Sequence, residues 1–348
     1  MNVSLINNQL INKKKGKKEN IDKNMSKMIV YDFFSKNEIN ISNKICKIPY
    51  YSQYYNFIIT DYDLIDISQI SEKIIENIIL DDDDVKYILC YYKYENCVKF
   101  HDFLFNIHDI KQFILNIFNS YLKLLNSLLK LNNENICFFD LNTSNIVFSE
   151  TNNPFLCNFK NSLFISSLNE NYIQNVIKNV NNYTCKPLEV HVLFYLIRNN
   201  EETLSLSFIE TICNNYVKNM SVLSFFSQKY QESYKQGCIE SLTKYINKHK
   251  SVIITDILNY YNYWDSYSIT IIYLHIFGNI SRVFSLKGTI LNKLILLLSK
   301  NIHPNPSKRE TLNETIENCD KIMEEFTDWS FINNISNEKL EKLYDILK

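Results

Sequence analysis

Apolar residues between Asp109 and Leu131 return every three or four positions. Ile110, Phe113, Ile114, Ile117, Tyr121, Leu124, Leu125, Leu128 and Leu131 would share one broad face, the pattern of a long helix packed on a core. Immediately afterwards the period shortens. Ile136 to Phe139 is a continuous apolar run, and IVF and FLC flank a polar turn containing Pro154, which predicts two short strands. Upstream, VKYILCYYKY (85–94) is apolar, aromatic and about strand length, and a second strand around CVKFHDFLF is compatible with the same pattern. EINISNKICKI reads as a helix with Ile39, Ile41, Ile45 and Ile48 near one face, and a polar helix is predicted around 67–79. Beyond about 187 the chain reads as mostly helical. VHVLFYLI, 204–218, 220–247, IITDILNYYNY, YSITIIYLHIF and ILNKLILLLSK all carry apolar residues at helical spacing. No self-repeat of about 20–50 residues is visible, which argues against a solenoid. The pattern predicts an α+β chain with a small β-containing front part and a larger helical back part.

Composition changes this picture little. A length of 348 residues allows one large domain or two ordinary ones, and 46% hydrophobic residues suffice for a large core. Only four glycines and five prolines occur beside abundant Asn, Ile, Lys and Tyr, which reads as a bias towards AT-rich codons. The formal net charge of −1 provides no whole-protein field towards nucleic acid or a membrane. Nine scattered cysteines form no C-x-x-C pair and the histidines have no ligand spacing, which argues against structural zinc and for free thiols in an intracellular, reducing setting. There is no apolar N-terminal signal and no run of about 18 uncharged apolar residues. Lys13, Lys14, Lys15, Lys17 and Lys18 around Gly16 make residues 1–25 a solvated, disordered basic tail, with the ordered body starting near Met25 and Met28. The acidic run Asp81 to Asp84 lacks the spacing and turn glycine of a cation loop, so it reads as a solvated loop.

The chemistry concentrates in Asn135 to Lys160, NICFFDLNTSNIVFSETNNPFLCNFK. Asp140 follows the apolar run, Asn145 stands five positions on, and the triplet Asn158-Phe159-Lys160 closes the stretch. This layout resembles the catalytic loop and metal-binding triplet of the protein kinases, H-R-D-L-x-x-x-N followed by D-F-G. Further elements occur in the family's order. Pro187-Leu188-Glu189 looks like the A-P-E element, Asp265 and Ser268 match a D-x-W-S-x-G helix start, and Asn305-Pro306-Ser307-Lys308-Arg309 looks like the D-P-x-x-R turn. The resemblance implies that Asp265 anchors the catalytic-loop backbone and that Arg309 pairs with Glu189. It also implies a bilobal kinase-like fold: a reduced N-terminal β lobe at 26–95 and a helical C-terminal lobe at 96–348. The long spacing from Glu189 to Asp265 places a helical insertion at about 200–258. Residues 85–94 would supply the last sheet strand and the hinge that receives adenine, with Tyr91 on the cleft. The pattern further resembles degenerate kinase-like proteins of large DNA viruses, which agrees with the codon bias and implies a location in host cytoplasm or virion.

By the same resemblance Asp140 would accept the proton of a substrate hydroxyl, while Asn145 and Asn158 would bind Mg²⁺ and thereby ATP. Departures from the family concern this chemistry. Gly16, Gly237, Gly278 and Gly288 cannot make a G-x-G-x-x-G phosphate loop, and no V-A-I-K strand is recognisable. Glu38 could be the helix acid that pairs with a strand lysine, its partner being Lys23 or Lys27. Asn158 stands where the family has an acid, Lys160 replaces a glycine, Asn142 replaces the loop lysine, and Phe138 and Phe139 replace His and Arg. Two functions follow. One is ATP-dependent phosphoryl transfer to protein Ser/Thr; the other is a catalytically inactive pseudokinase, a scaffold for a protein partner. A small-molecule kinase of the aminoglycoside or choline type also uses an Asp-x-x-x-x-Asn loop, but Asp265 and Arg309 look like protein kinases.

Overall fold

The computed structural model describes residues 24–65, 86–105, 109–180, 185–325 and 329–347. The lysine-rich tail, the helix expected around 67–79 and the run Asp81 to Asp84 lie outside the described residues. The chain is mixed α+β, mostly helical with small antiparallel sheets.

The front part is built on β1 (Asn24–Val30), α1 (Phe33–Ile45), β2 (Ile58–Ile65) and β3 (Tyr87–Lys93). β3, the most apolar of the three strands, is central in the order β1-β3-β2 and pairs antiparallel on both sides. Ile88, Cys90 and Tyr92 alternate onto one face, where they meet Ile39 of α1 and Ile59 of β2. Asp32 starts α1 by accepting from the backbone N–H of Ser35, whose hydroxyl accepts in return from the N–H of Asp32. Ile39, Ile41, Ile45 and Ile48 are all buried.

Two elements differ from the sequence reading. In CVKFHDFLF the strand β4 ends after Cys97–Lys99 and Phe100–Phe105 turns into the helix α2. β4 is an edge strand paired only with the segment Ile146–Ser149, whereas Phe100, Phe103 and Leu104 are buried at helical spacing, so packing outweighs the aromatic β-propensity. The segment 220–247 is interrupted, with a 3₁₀ turn at Ser221–Phe225 and a new helix start capped by Ser227.

α3 (Ile110–Asn133) starts at its N-cap Asp109 and buries the predicted stripe from Ile110 to Leu131. Burying each large aliphatic side chain contributes about 1.5–3 kcal/mol, so this one helix accounts for much of the core. It delivers the chain into β5 (Ile136–Cys137), which pairs with β8 (Leu163–Phe164). Between them β6 (Ile146–Ser149) and β7 (Pro154–Leu156) form a sheet with β4 in the order β4-β6-β7. The following helices are α4 (Glu170–Asn179), α5 (Leu188–Arg198), α6 (Leu206–Asn219), α7 (Gln228–Leu242), α8 (Lys250–Leu258), α9 (Trp264–Ser281), α10 (Ile290–Asn301), α11 (Leu312–Glu325) and α12 (Asn337–Leu347).

α9 is buried over nearly its whole length, which explains why its sequence is apolar all round. The phenyl ring of Phe225 presses on it at Gly278, where an added Cβ would come within 2.1 Å of that ring. Helices α6 to α8 form a unit closed at its base: Asn247 and Lys250 donate their backbone N–H groups to Leu204 and Glu202 (2.8 and 2.7 Å). The unit attaches to α9 through the hydroxyls of Tyr216 and Tyr267. Among the described residues no helix is long and apolar enough to cross a membrane.

Candidate functional site

Asp140 is held by the backbone on either side of it. Phe139 has φ +62°, a left-handed conformation that costs a bulky residue about 1–2 kcal/mol unless its surroundings enforce it. The enforcement is visible. Asp265, at the start of α9, accepts from the N–H groups of Phe138 (2.6 Å) and Phe139 (2.9 Å). Burial pushes the Asp265 carboxyl up from its ordinary value, while Lys186 and the two backbone donors pull the other way. Lys186, only 1% exposed, donates to the carbonyl of Phe139 and places its ammonium 5.2 Å from the centre of that ring. The N–H and the C=O of this strained residue are therefore both engaged by buried charged side chains. The Phe139 ring lies 5.8 Å from Trp264. Lys186 was not foreseen: it directly precedes Pro187, and nothing in its spacing marks it as buried.

The half-buried Asp140 is surrounded by amides. Nδ2 of Asn145 donates to the Asp140 carbonyl (2.7 Å), and Nδ2 of Asn142 donates to the same oxygen (3.0 Å). Asn161 donates to Oδ2 of Asp140 (2.8 Å) and accepts from Asn179 at the end of α4 (2.8 Å). Asn158, at φ +68°, donates its Nδ2 to Oδ1 of Asn145 (2.9 Å). Asparagine tolerates this backbone region better than most residues. The network itself fixes the amide orientations. Since the NH₂ of Asn145 faces a carbonyl, its oxygen must face Asn158, and only the NH₂ of Asn158 can donate to it. Asn161 and Asn179 were invisible in a chain so rich in asparagine.

Divalent magnesium is the ion that the sequence pattern implies, and it prefers carboxylates, phosphate oxygens and water. The residues present do not fit it. Asn158 brings a hydrogen-bond donor to Oδ1 of Asn145, and Oδ2 of Asp140 is engaged by Asn161. Among the described residues no group of three or more His, Cys, Asp or Glu could hold a metal.

The triplet is also tied to α1. Asn37 donates to the carbonyls of Lys160 (2.9 Å) and Ser162 (2.8 Å), and the Tyr172 hydroxyl donates to Asn37. Glu38 is the next residue. Burial pushes its carboxyl up to about 7, against the opposing pull of Lys27 and Lys160. Of the two lysines expected to partner Glu38, Lys23 lies outside the described residues; Lys27 lies opposite Cys90 in the β1–β3 register, on the face turned to α1, in a strand the sequence did not reveal. Tyr91 is not brought to this cluster. Strand alternation puts it on the other face from Cys90 and Tyr92, and its hydroxyl donates to Asp63 (2.9 Å).

Away from the cluster, Arg309 forms a bidentate pair with Glu189 (2.6 and 2.9 Å), both side chains being almost fully buried. Arg309 also donates to the carbonyls of His303 (2.8 Å) and Pro304 (3.3 Å), so the charges are compensated on several sides. The chain matches no protein-family model and no curated protein.

Proposed function

We propose that this chain is a protein-kinase-like protein whose centre has closed, and that it acts as a pseudokinase, a binding or scaffold module for a protein partner. In this reading residues 26–95 form a reduced N-terminal β lobe, 96–348 a helical C-terminal lobe, and α6 to α8 the insertion at about 200–258. The strand order β1-β3-β2 beneath α1, the approach of Lys27 to Glu38, the anchoring of Phe138 and Phe139 by Asp265, and the Glu189–Arg309 pair support it. The observation that carries the loss of catalysis is the hydrogen bond from Asn158 to Asn145. The two positions that would grip a metal satisfy each other instead.

Phosphoryl transfer depends on positioning and on neutralising phosphate charge, with little covalent work for the protein. Replacing a carboxylate by an amide at a partly desolvated ion costs several kcal/mol, and each loss of about 1.4 kcal/mol in transition-state stabilisation is tenfold in rate. Asp140 keeps a half-exposed carboxylate, which favours a second reading, ATP-dependent transfer to protein Ser/Thr. The two separate in a phosphotransfer assay on the full chain with Mg²⁺ and with Mn²⁺. The expected result is no transfer to itself or to a general protein substrate above the level of Asp140→Ala. Metal-dependent transfer that disappears in Asp140→Ala would overturn the pseudokinase reading.

A further inference from the structure

We propose that the segment 47–54, which joins α1 to β2, is a docking platform for single-stranded nucleic acid. The proposal stands apart from the pseudokinase reading and uses none of the residues around Asp140.

Tyr50 is the starting point. The carbonyl of Ile48 accepts from the backbone N–H of Tyr51 (3.2 Å), which closes a turn with Pro49 second and Tyr50 third. Tyr50 has φ +57°, a left-handed conformation, and at positive φ the third position of a turn favours Gly or Asn. A bulky aromatic residue is strained there. Nothing inside the fold offsets that strain: the side chain is 77% exposed and makes no hydrogen bond or ring contact among the described residues. A strained and exposed aromatic ring points to a role outside the fold.

Two further rings and three ammonium groups share this place. Tyr51 opens a 3₁₀ turn and Tyr54 follows its end, and residues three apart stand on the same side of such a turn. Nζ of Lys93, at the end of β3, lies 5.7 Å from the centre of the Tyr51 ring. Nζ of Lys130, in the last turn of α3, lies 4.7 Å from that of Tyr54. Cation–π attraction keeps both ammonium groups at the aromatic segment. Lys47 stands exposed just before the turn. Among the described residues none of the three lysines forms a salt bridge, and neither does Glu134, the exposed acid that follows Lys130 by one helical turn. The net charge of −1 for the whole chain therefore conceals a local excess of cations.

An anion with flat apolar faces fits this set. Single strands bind where aromatic rings stack on their bases and cations follow their phosphates. In a duplex the bases stack on one another and offer no face to Tyr50. A lipid surface fits less well. Besides Lys47 and Tyr50 the exposed residues of the segment are Pro49, Ser52 and Gln53, with no exposed Leu, Ile, Phe or Trp to enter acyl chains.

The test is fluorescence anisotropy on the full chain with labelled oligo-U and oligo-dT of about 12 nucleotides, and with a duplex of the same length. Both single strands are expected to bind at low salt, more tightly than the duplex. The slope of log affinity against log salt should be about −2 for three lysine–phosphate contacts, and Lys93→Met or Lys130→Met should each reduce it by about 0.7. Tyr50→Ala should weaken binding about tenfold or more. Tyr50→Asn suits the turn, so it should keep or raise the urea midpoint while losing affinity as Tyr50→Ala does. A merely structural role of Tyr50 would not produce that combination. Equal affinity for oligo-U and oligo-dT would place recognition in stacking and phosphate contact, and tighter binding of oligo-U would add the 2′-hydroxyl; both support the platform. No binding of either strand at low salt, a duplex bound equally well, unchanged affinity in Tyr50→Asn, or binding only to phosphatidylserine vesicles would overturn it.

Discussion

The Glu189–Arg309 pair, almost fully buried, and the half-buried Asp140–Asn158 cluster are both polar, yet they are built differently. The first keeps full charges, matched atom for atom at 2.6 and 2.9 Å. The second is built of amides: Asn145, Asn158, Asn161 and Asn179 hydrogen-bond around a single carboxylate. A buried ion pair cannot lose one member without exposing the other to a large desolvation penalty. An open metal site loses nothing structural when its acid becomes an amide, provided the amides find partners. Removing one member of the ion pair therefore costs stability, whereas an amide in the cluster costs none so long as its partners are kept.

The largest effect expected from this comparison is at Arg309. Arg309→Met should cost about 3–5 kcal/mol, because it leaves Glu189 buried and unpaired. Urea unfolding would check it. The double variant Arg309→Met with Glu189→Leu should recover a good part of the loss, since two apolar side chains carry no desolvation penalty. If the single variant is nearly neutral, the pair is not the rigid support described above.

Lys186 comes next. Lys186→Met keeps the volume but removes the donor to the Phe139 carbonyl and the counter-charge of Asp265, for an expected loss of about 2–3 kcal/mol. A general loss of packing would speed exchange everywhere. The distinctive readout is faster amide hydrogen exchange confined to 138–145, because the strained backbone before Asp140 relaxes once one of its holders is gone.

Glu38 gives a smaller, pH-dependent effect. Its carboxyl is raised from 4.5 to about 7 in the folded chain, so between these values the folded state binds more protons than the unfolded state. Its contribution to stability is therefore lost as pH rises from about 4.5 to 7. Cys90 and Tyr92, which face it, stay neutral across this range because burial raises both. Glu38→Gln should equal the wild type near pH 4.5 and exceed it in stability above pH 7. An identical slope for both proteins would show that Glu38 is not the group responsible.

Which parts were legible in the sequence follows the same division. The stripe of α3 and the positions of Asp140, Asn145, Glu189, Asp265 and Arg309 could be read because periodicity and fixed spacing survive in one dimension. β1 could not be recognised: Lys27 is placed by its pairing opposite Cys90, a contact between residues 63 positions apart. Lys186, Asn161 and Asn179 gain their roles only when the chain closes over Phe139 and Asp140. The face of the sheet on which Tyr91 stands was hidden for a simpler reason. Strand alternation fixes that neighbouring residues face opposite ways, but the sequence did not show which face α1 would cover.

The smallest expected change bears most directly on the comparison. Asn158→Asp replaces the donor that meets Oδ1 of Asn145 by a second acceptor, so two oxygens face each other at the position of a 2.9 Å hydrogen bond. In EDTA this should cost about 1 kcal/mol, the net worth of one hydrogen bond. A cation between the two oxygens removes the conflict, so Mn²⁺ or Mg²⁺ together with ATP should stabilise Asn158→Asp more than the wild type. If Lys160 still repels the ion, the response should appear only when Lys160→Gly is added. A metal response in the double variant alone would assign the exclusion jointly to amide and ammonium. A response already present in the wild type would mean that the hydrogen bond between Asn158 and Asn145 opens readily, and that the centre is closed only while no ion is offered.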